Sequence, residues 1–234
     1  MPGAGLCSKK GRANARMANV KDNAASQETR RKLIDAAGQV FAESGLHAAT
    51  LQEITDRAGV NKAAVNYHFR DKFELYAAVV RYCLSFRDAD PAPEETSGPP
   101  EARLRALIAH IIREILDPSK PSWRAAIINH ELAQPTAALD SVMDELIEPR
   151  VRLQRDIVRR ILGPRASEEK VARVTLSIMS QCLVYLHDRR IMARLHPVLA
   201  QDDSRPEKIA RHIAEFSLAA LRPTPRGRKP SRRS

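Results

Sequence analysis

The chain has 234 residues, 43% apolar and only 4% aromatic, and a formal net charge of +11. It is long enough for one or two domains with a sizeable core, which excludes a disulfide-stapled miniprotein and a wholly disordered chain. Three widely spaced cysteines without a C-x-x-C, no apolar run approaching the roughly 18 residues of a membrane span, and no apolar segment in the polar start lead to the expectation of a reducing, cytoplasmic setting with no membrane partner.

Residues 1–26 carry Lys9, Lys10, Arg12, Arg16 and Lys21 against one acid, Asp22, for a local charge of +4. They read as a basic, disordered tail, and Met17 is an alternative start that would remove most of it. From Leu33 the apolar residues Leu33, Ala37, Val40 and Phe41 fall on one stripe of a 3.6-residue period, and Gly45 suits the left-handed residue after a helix. Thr50-Leu-Gln-Glu53 is a capping box opening a short helix whose inner face is Leu51, Ile54 and Ala58. Gly59-Val60-Asn61 makes a turn, with Asn61 placed to cap a third helix through Phe69. Asp71-Lys-Phe-Glu74 is a second capping box, opening a longer helix with Phe73, Tyr76, Val79, Val80 and Cys83.

Residues 87–100 hold four prolines and no periodicity and read as a loop. Helical pattern resumes at Leu104 and keeps one face through Leu107, Ile108, Ile111, Ile112, Ile115 and Leu116. Prolines at 118, 121, 135 and 149 then punctuate helices expected near 122–133, 137–148 and 150–162, the last stopped by Gly163-Pro164. Residues 171–186 are apolar almost all the way round, so they require burial by the protein's own core or by a second subunit. A final helix is expected from about Pro206 to Leu221, with Ile209, Ile213, Phe216 and Leu221 inward. Residues 222–234 close the chain with six basic groups and no acid. No β alternation is visible, and the fold class is all-α.

Residues 50–69 have the dimensions of a helix-turn-helix, a geometry that also arises between purely structural helices. With Val65 and Phe69 turned toward Ile54 and Ala58, the outer face of the second helix carries Ala63, Ala64 and Tyr67, flanked by Lys62, Asn66 and His68. Small residues there let the backbone approach base edges, alanine methyls can meet thymine methyls, and Asn66 can pair bidentately with adenine. Lys62, Tyr67, His68 and Lys72 suit phosphate oxygens, as do the amides opening the helices after Thr50 and Asp71.

Residues 30–76, RRKLIDAAGQVFAESGLHAATLQEITDRAGVNKAAVNYHFRDKFELY, resemble the DNA-binding domain of the TetR family of one-component repressors. The resemblance rests on AAGQVFAESG, the Thr50 cap, the Ile54–Val60 pattern I-x-x-x-A-G-V, and YHF followed by Lys72. The AAVNYHF variant and ELAQPTAALDSVMDELIEPR (131–150) resemble its CecR-like subgroup. Asn66 stands where most of the family has Tyr, and Phe73 where Glu is usual. The resemblance implies phosphate contacts from Thr50, Tyr67, His68 and Lys72 and base-facing positions at Lys62, Ala63, Ala64 and Asn66. It also implies a homodimer on palindromic double-stranded DNA, and a helical C-terminal domain that binds a small-molecule effector. The expected division is a tail (1–26), a helix-turn-helix domain (27–86), a proline-rich loop (87–100), a larger ligand-binding and dimerisation domain (101–222) and a basic tail (223–234).

Trp123, Arg124, His130, Glu131, Gln181 and Tyr185 interrupt apolar helices of the second part, either as effector-pocket groups or as satisfied core residues. His110, His187, His196 and His212 lack metal-ligand spacing; Cys83 and Cys182 sit on apolar faces as small hydrophobes; Ser177 and Ser180 lack a nucleophile-elbow context. No cofactor, metal or enzymatic activity is expected. Pro225-Arg-Gly-Arg-Lys-Pro230 is similar to the AT-hook, whose Arg-Gly-Arg core enters narrow A·T minor grooves. The alternative function is accordingly a low-specificity DNA-organising protein that uses its basic tails.

Overall fold

The computed structural model describes residues 7–85, 98–186, 194–199 and 205–221, with side chains from Asn23 onward. Most of the proline-rich loop and the whole 223–234 tail with its Arg-Gly-Arg lie outside the described residues. Those described are helical with no strand, the all-α class expected. They fall into two compact units that do not follow a single cut along the chain: Met1–Leu84 joins Pro121–Val142, and Ser85–Lys120 joins Met143–Ser234. The expected boundary at the proline-rich loop therefore differs from the division by compactness. The reason is side-chain chemistry, since Trp123, Arg124 and Glu131 find their buried partners on the first and fourth helices.

In the first unit, α1 spans Cys7–Ala48. Residues 7–26, expected as a disordered tail, are thus helical; their sequence is rich in Ala, Lys, Arg and Asn with a single glycine, so nothing halts the helix begun further on. Gly45, at φ 74° and ψ 169°, breaks the helical path, a conformation that L side chains rarely adopt. Then come α2 (Leu51–Ala58), α3 (Lys62–His68) and α4 (Lys72–Leu84). Their inner faces enclose Leu33, Ala37, Val40, Ile54, Val65 and Leu75, all 0% exposed. The Phe41 ring meets Tyr76 edge to face at 5.0 Å between centroids.

Helices α6 (Trp123–Ala133) and α7 (Ala137–Val142) complete this unit. Trp123 lies flat on Gly38 of α1: a Cβ at position 38 would sit 2.5 Å from the indole Cε2. Its Nε1 donates to Asp35 Oδ1 at 3.1 Å. Buried Arg124 donates from Nε to the Cys83 carbonyl at 2.7 Å, satisfying one of the carbonyls that the end of α4 leaves without a helical partner. Among the described residues, no helix is long and apolar enough to cross a membrane.

In the second unit, α5 (Pro100–Leu116) packs against α8 (Glu148–Leu162), α9 (Glu168–Leu183) and α10 (Arg205–Leu221). Its apolar face is as expected, but His110 and Glu114 are buried as well, so α5 is a central helix and not a one-faced one. Glu114 is compensated by Lys120 at 3.2 Å. Pro149 lies at the helix boundary expected there, although the chain stays helical on both sides of it. α7 ends at Val142, Met143–Ile147 forms a π-helical turn, and Pro149 falls in the first turn of α8, where a missing N–H leaves no bond unmade and the widened turn relieves the proline ring.

Helix α9 buries Val171, Thr175, Ile178 and Cys182 on one side and leaves Leu176 68% exposed. Burial pushes the Cys182 thiol up to about 12, so it packs as a small neutral group. On α10 the expectation for Phe216 is corrected: it points outward, 61% exposed. Ala210, Ile213, Ala214, Ser217, Leu218 and Leu221 form the buried face. At 100° per residue Phe216 falls well off that face, and small residues, not the aromatic, allow the close approach to α5.

Candidate nucleic-acid interface

Four local hydrogen bonds build the helix-turn-helix. The Thr50 side chain accepts from the Glu53 amide at 3.2 Å; the Glu53 carboxylate turns to Arg57, 3.6 Å away, so only half of that capping box is realised. Gly59 takes the left-handed conformation, φ 65° and ψ 35°, and turns the chain toward α3. The Asn61 side chain accepts from the Ala64 amide at 3.0 Å, and Asp71 caps α4 by accepting from Glu74 N at 2.8 Å. The Glu74 carboxylate reaches back to the Arg70 amide at 3.1 Å and also pairs with the Arg70 guanidinium. The start of each of α2, α3 and α4 is therefore held by a side chain of its own neighbourhood, while α2 and α3 close on the backbone amides of Gly59 and Phe69.

Val65 (0%) and Phe69 (4%) are buried, which rotates the rest of α3 outward. Lys62, Ala63, Asn66 and Tyr67 are exposed, Tyr67 by 78%, and Ala64 and His68 are half-buried beside them. The structure thus brings six of the eight expected DNA-contacting residues onto one helix, with exposed Thr50 heading α2. Lys72 is engaged elsewhere: its Nζ donates to the carbonyls of His47 at 3.0 Å and Ala49 at 2.9 Å. Two of its three N–H donors tie the start of α4 to the corner after α1. Burial, with Arg30 nearby, lowers the pKa of His68 below its ordinary value, leaving a neutral imidazole near pH 7.

The expected effector-pocket residues are distributed over both units. Trp123 and Glu131 are buried in the first and hydrogen-bonded there; His130 is exposed on α6. Glu131 Oε1 accepts from Tyr76 Oη at 2.6 Å and Thr136 Oγ1 at 2.9 Å, and Oε2 from the Thr136 amide at 3.0 Å. Burial, and then the Glu131 carboxylate, push the Tyr76 phenol well above its usual range, so it stays a donor. Gln181 and Tyr185 belong to the second unit. Gln181 lies 3.4 Å from Ser217 Oγ on α10, and Tyr185 packs on the core of α5, α8, α9 and α10. Sequence reasoning missed Asp35, Gly38 and Tyr76 as partners of Trp123 and Glu131, since those contacts join positions 88 and 55 residues apart. It also missed buried Gln154, whose Nε2 donates to the Thr175 carbonyl at 3.2 Å. Among the described residues no cluster of side chains could hold a metal ion.

Residues 33–79 match the model of bacterial regulatory proteins of the tetR family, and residues 100–221 match the C-terminal domain of the HTH-type transcriptional dual regulator CecR. The chain is 27% identical to CecR of Shigella flexneri over 170 residues, covering 68% of this chain and 76% of that protein. It is 33% identical to the transcriptional activator FasR of Mycolicibacterium smegmatis over 112 residues, 47% of this chain and 51% of FasR. It spans about half the length of several curated relatives it matches. Among solved structures, AibR in complex with isovaleryl coenzyme A and operator DNA shares the fold at a TM-score of 0.59 and 19% identity, covering 80% of this chain and 97% of that one. Bacillus subtilis FadR in complex with stearoyl-CoA does so at 0.60 and 16%, covering 81% and 97%. With its helix-turn-helix matched at one end and the larger part of the chain matched at the other, the protein belongs to the TetR family of bacterial regulatory proteins, with a C-terminal domain of the CecR type.

Proposed function

We propose that the protein is a cytoplasmic, ligand-responsive transcriptional repressor that binds a two-fold symmetric operator as a homodimer. The observation that carries this reading is the outward face of α3, where Ala63, Ala64 and Asn66 present small and bidentate side chains between Lys62 and Tyr67. Asn66 reads an adenine, the alanines let the helix sit close to the bases, and Thr50, Lys62, Tyr67 and His68 fix its register on phosphates. Dimerisation is supported by exposed Leu176 on α9 and Phe216 on α10, two large apolar side chains on neighbouring helices.

The effector acts by shifting the two recognition helices away from the roughly 34–36 Å spacing that one DNA turn requires. AibR and FadR carry acyl-CoA molecules in their structures, so acyl-CoAs are the first effector class to screen. The testing experiment is in vitro selection of bound sequences from random duplexes with the full chain at near-physiological salt. A two-fold symmetric consensus supports the reading, with Asn66→Ala relaxing preference at particular base pairs and Tyr67→Ala weakening all sequences alike. No enriched motif, or enrichment of A·T-rich DNA alone, overturns it in favour of low-specificity binding by the tails.

A further inference from the structure

We infer that Arg30, on α1 and outside the helix-turn-helix, is a direct DNA-phosphate contact that supplies the positive charge at the C-terminal end of α3, the role the family pattern gives to Lys72. The inference rests on the DNA-binding reading above and adds a residue to it.

Three observations support it. The guanidinium carbon of Arg30 lies 5.2 Å from the centre of the Phe69 ring, the residue that caps α3. Stacking on an aromatic face uses none of the in-plane N–H donors of a guanidinium, so the fork remains available to a phosphate. Arg30 is exposed and has no carboxylate partner among the described residues. Its neighbours differ: Arg31 pairs with Glu28 at 2.7 Å, Arg57 with Glu43 at 2.7 Å, and Arg70 with Glu74. A cation held in place by an aromatic ring and not neutralised by an acid is suited to a polyanion.

The second observation is that Lys72 spends two of its donors on the His47 and Ala49 carbonyls. In that geometry it is a positioning residue, holding the corner that precedes the Thr50 cap. The third concerns His68, which sits between Tyr67 and Phe69, with ring centres 4.9 and 6.2 Å away. Burial and the charge of Arg30 hold it neutral near pH 7, so it brings a hydrogen bond but no charge. Of Arg30, His68 and Lys72, Arg30 is the exposed cation whose donors are given to neither a carbonyl nor an acid among the described residues, which suits it to displace a counterion from a phosphate.

The test is salt-titrated fluorescence anisotropy of the full chain on a duplex recovered by selection and on a random duplex of equal length. Arg30→Gln is expected to flatten the slope of log K against log salt by about 0.9 for each bound subunit, with a loss of affinity on the order of tenfold that is the same for both duplexes. Arg30→Lys is expected to keep the slope. Lys72→Gln is expected to lower the melting temperature with the slope unchanged, a readout that a purely structural residue does not move. A wild-type slope in Arg30→Gln overturns the inference, as does a flattened slope in Lys72→Gln alone. Wild-type protein that binds neither duplex overturns the DNA-binding reading as well, so the two failures are distinguishable.

Discussion

Replacing Glu131 tests whether this carboxylate belongs to an effector pocket or holds the first unit together. It is 3% exposed and accepts three hydrogen bonds, two of them from Thr136, which opens α7, and one from Tyr76 of α4. Thr136 Oγ1 accepts in turn from the Ala138 amide at 3.2 Å, so the carboxylate organises the whole α6–α7 corner. Glu131→Ala strands the buried Tyr76 hydroxyl, takes the acceptor from both donors of half-buried Thr136 and opens a cavity; at about 1–3 kcal/mol for the stranded buried group plus the cavity, the loss is about 3–5 kcal/mol. Tyr76→Phe removes one bond to a charged acceptor and costs about 1.5–3 kcal/mol. Glu131→Gln keeps the shape but puts an amide N–H against at least one donor and removes the charge, for about 1–2 kcal/mol. In a chain of this size each kcal/mol moves the melting temperature by about 2–4 °C. Thermal and urea denaturation by circular dichroism at one fixed protein concentration would order the variants Glu131→Ala, Tyr76→Phe, Glu131→Gln from least to most stable. A Tyr76→Phe/Glu131→Gln cycle would give a coupling of at least about 1 kcal/mol. A Glu131→Gln variant as stable as wild type that binds operator yet no longer responds to effector would refute this reasoning and return Glu131 to the effector pocket.

Gly38→Ala is expected to destabilise by about 1–3 kcal/mol in the same melts despite alanine's advantage in helices of about 1 kcal/mol, because the new methyl meets the Trp123 indole; a stabilised variant would mean the indole is free to move. Asn61→Ala removes the α3 cap and should cost about 1 kcal/mol, with DNA affinity falling equally for all sequences; a changed consensus in a selection experiment would contradict that. The folded-state pKa of His68 lies below its unfolded value, so the unfolded chain binds more protons and stability falls as pH drops below about 6.5. Melting temperatures from about pH 7 to about pH 5 should fall further for wild type than for His68→Gln, and parallel curves would remove His68 from that account. Paired Leu176→Glu and Phe216→Glu substitutions should leave a folded monomer in sedimentation equilibrium; an unchanged mass would move the subunit contact to another surface.

What the sequence determined by itself is everything decided within a few residues. Thr50, Asn61 and Asp71 cap helices because a side chain reaches an amide three positions on, and Gly45 and Gly59 turn the chain because only glycine takes those conformations readily. Val65 and Phe69, four apart, turn the remainder of α3 outward, so which of its residues face away from the core was legible from spacing alone. The tertiary structure decided what depends on groups far apart in the chain. That Trp123, Arg124 and Glu131 are hydrogen-bonded within the first unit depends on partners 88, 41 and 55 residues away. That Lys72 ties down the corner after α1 depends on carbonyls 25 and 23 residues before it. Phe216 reads as core by its hydrophobicity, but the side of α10 that is buried is set by the neighbouring helix, and small residues permit the closer approach. Local hydrogen bonding is written in neighbouring letters, whereas burial and charge compensation exist only once distant segments share one interior.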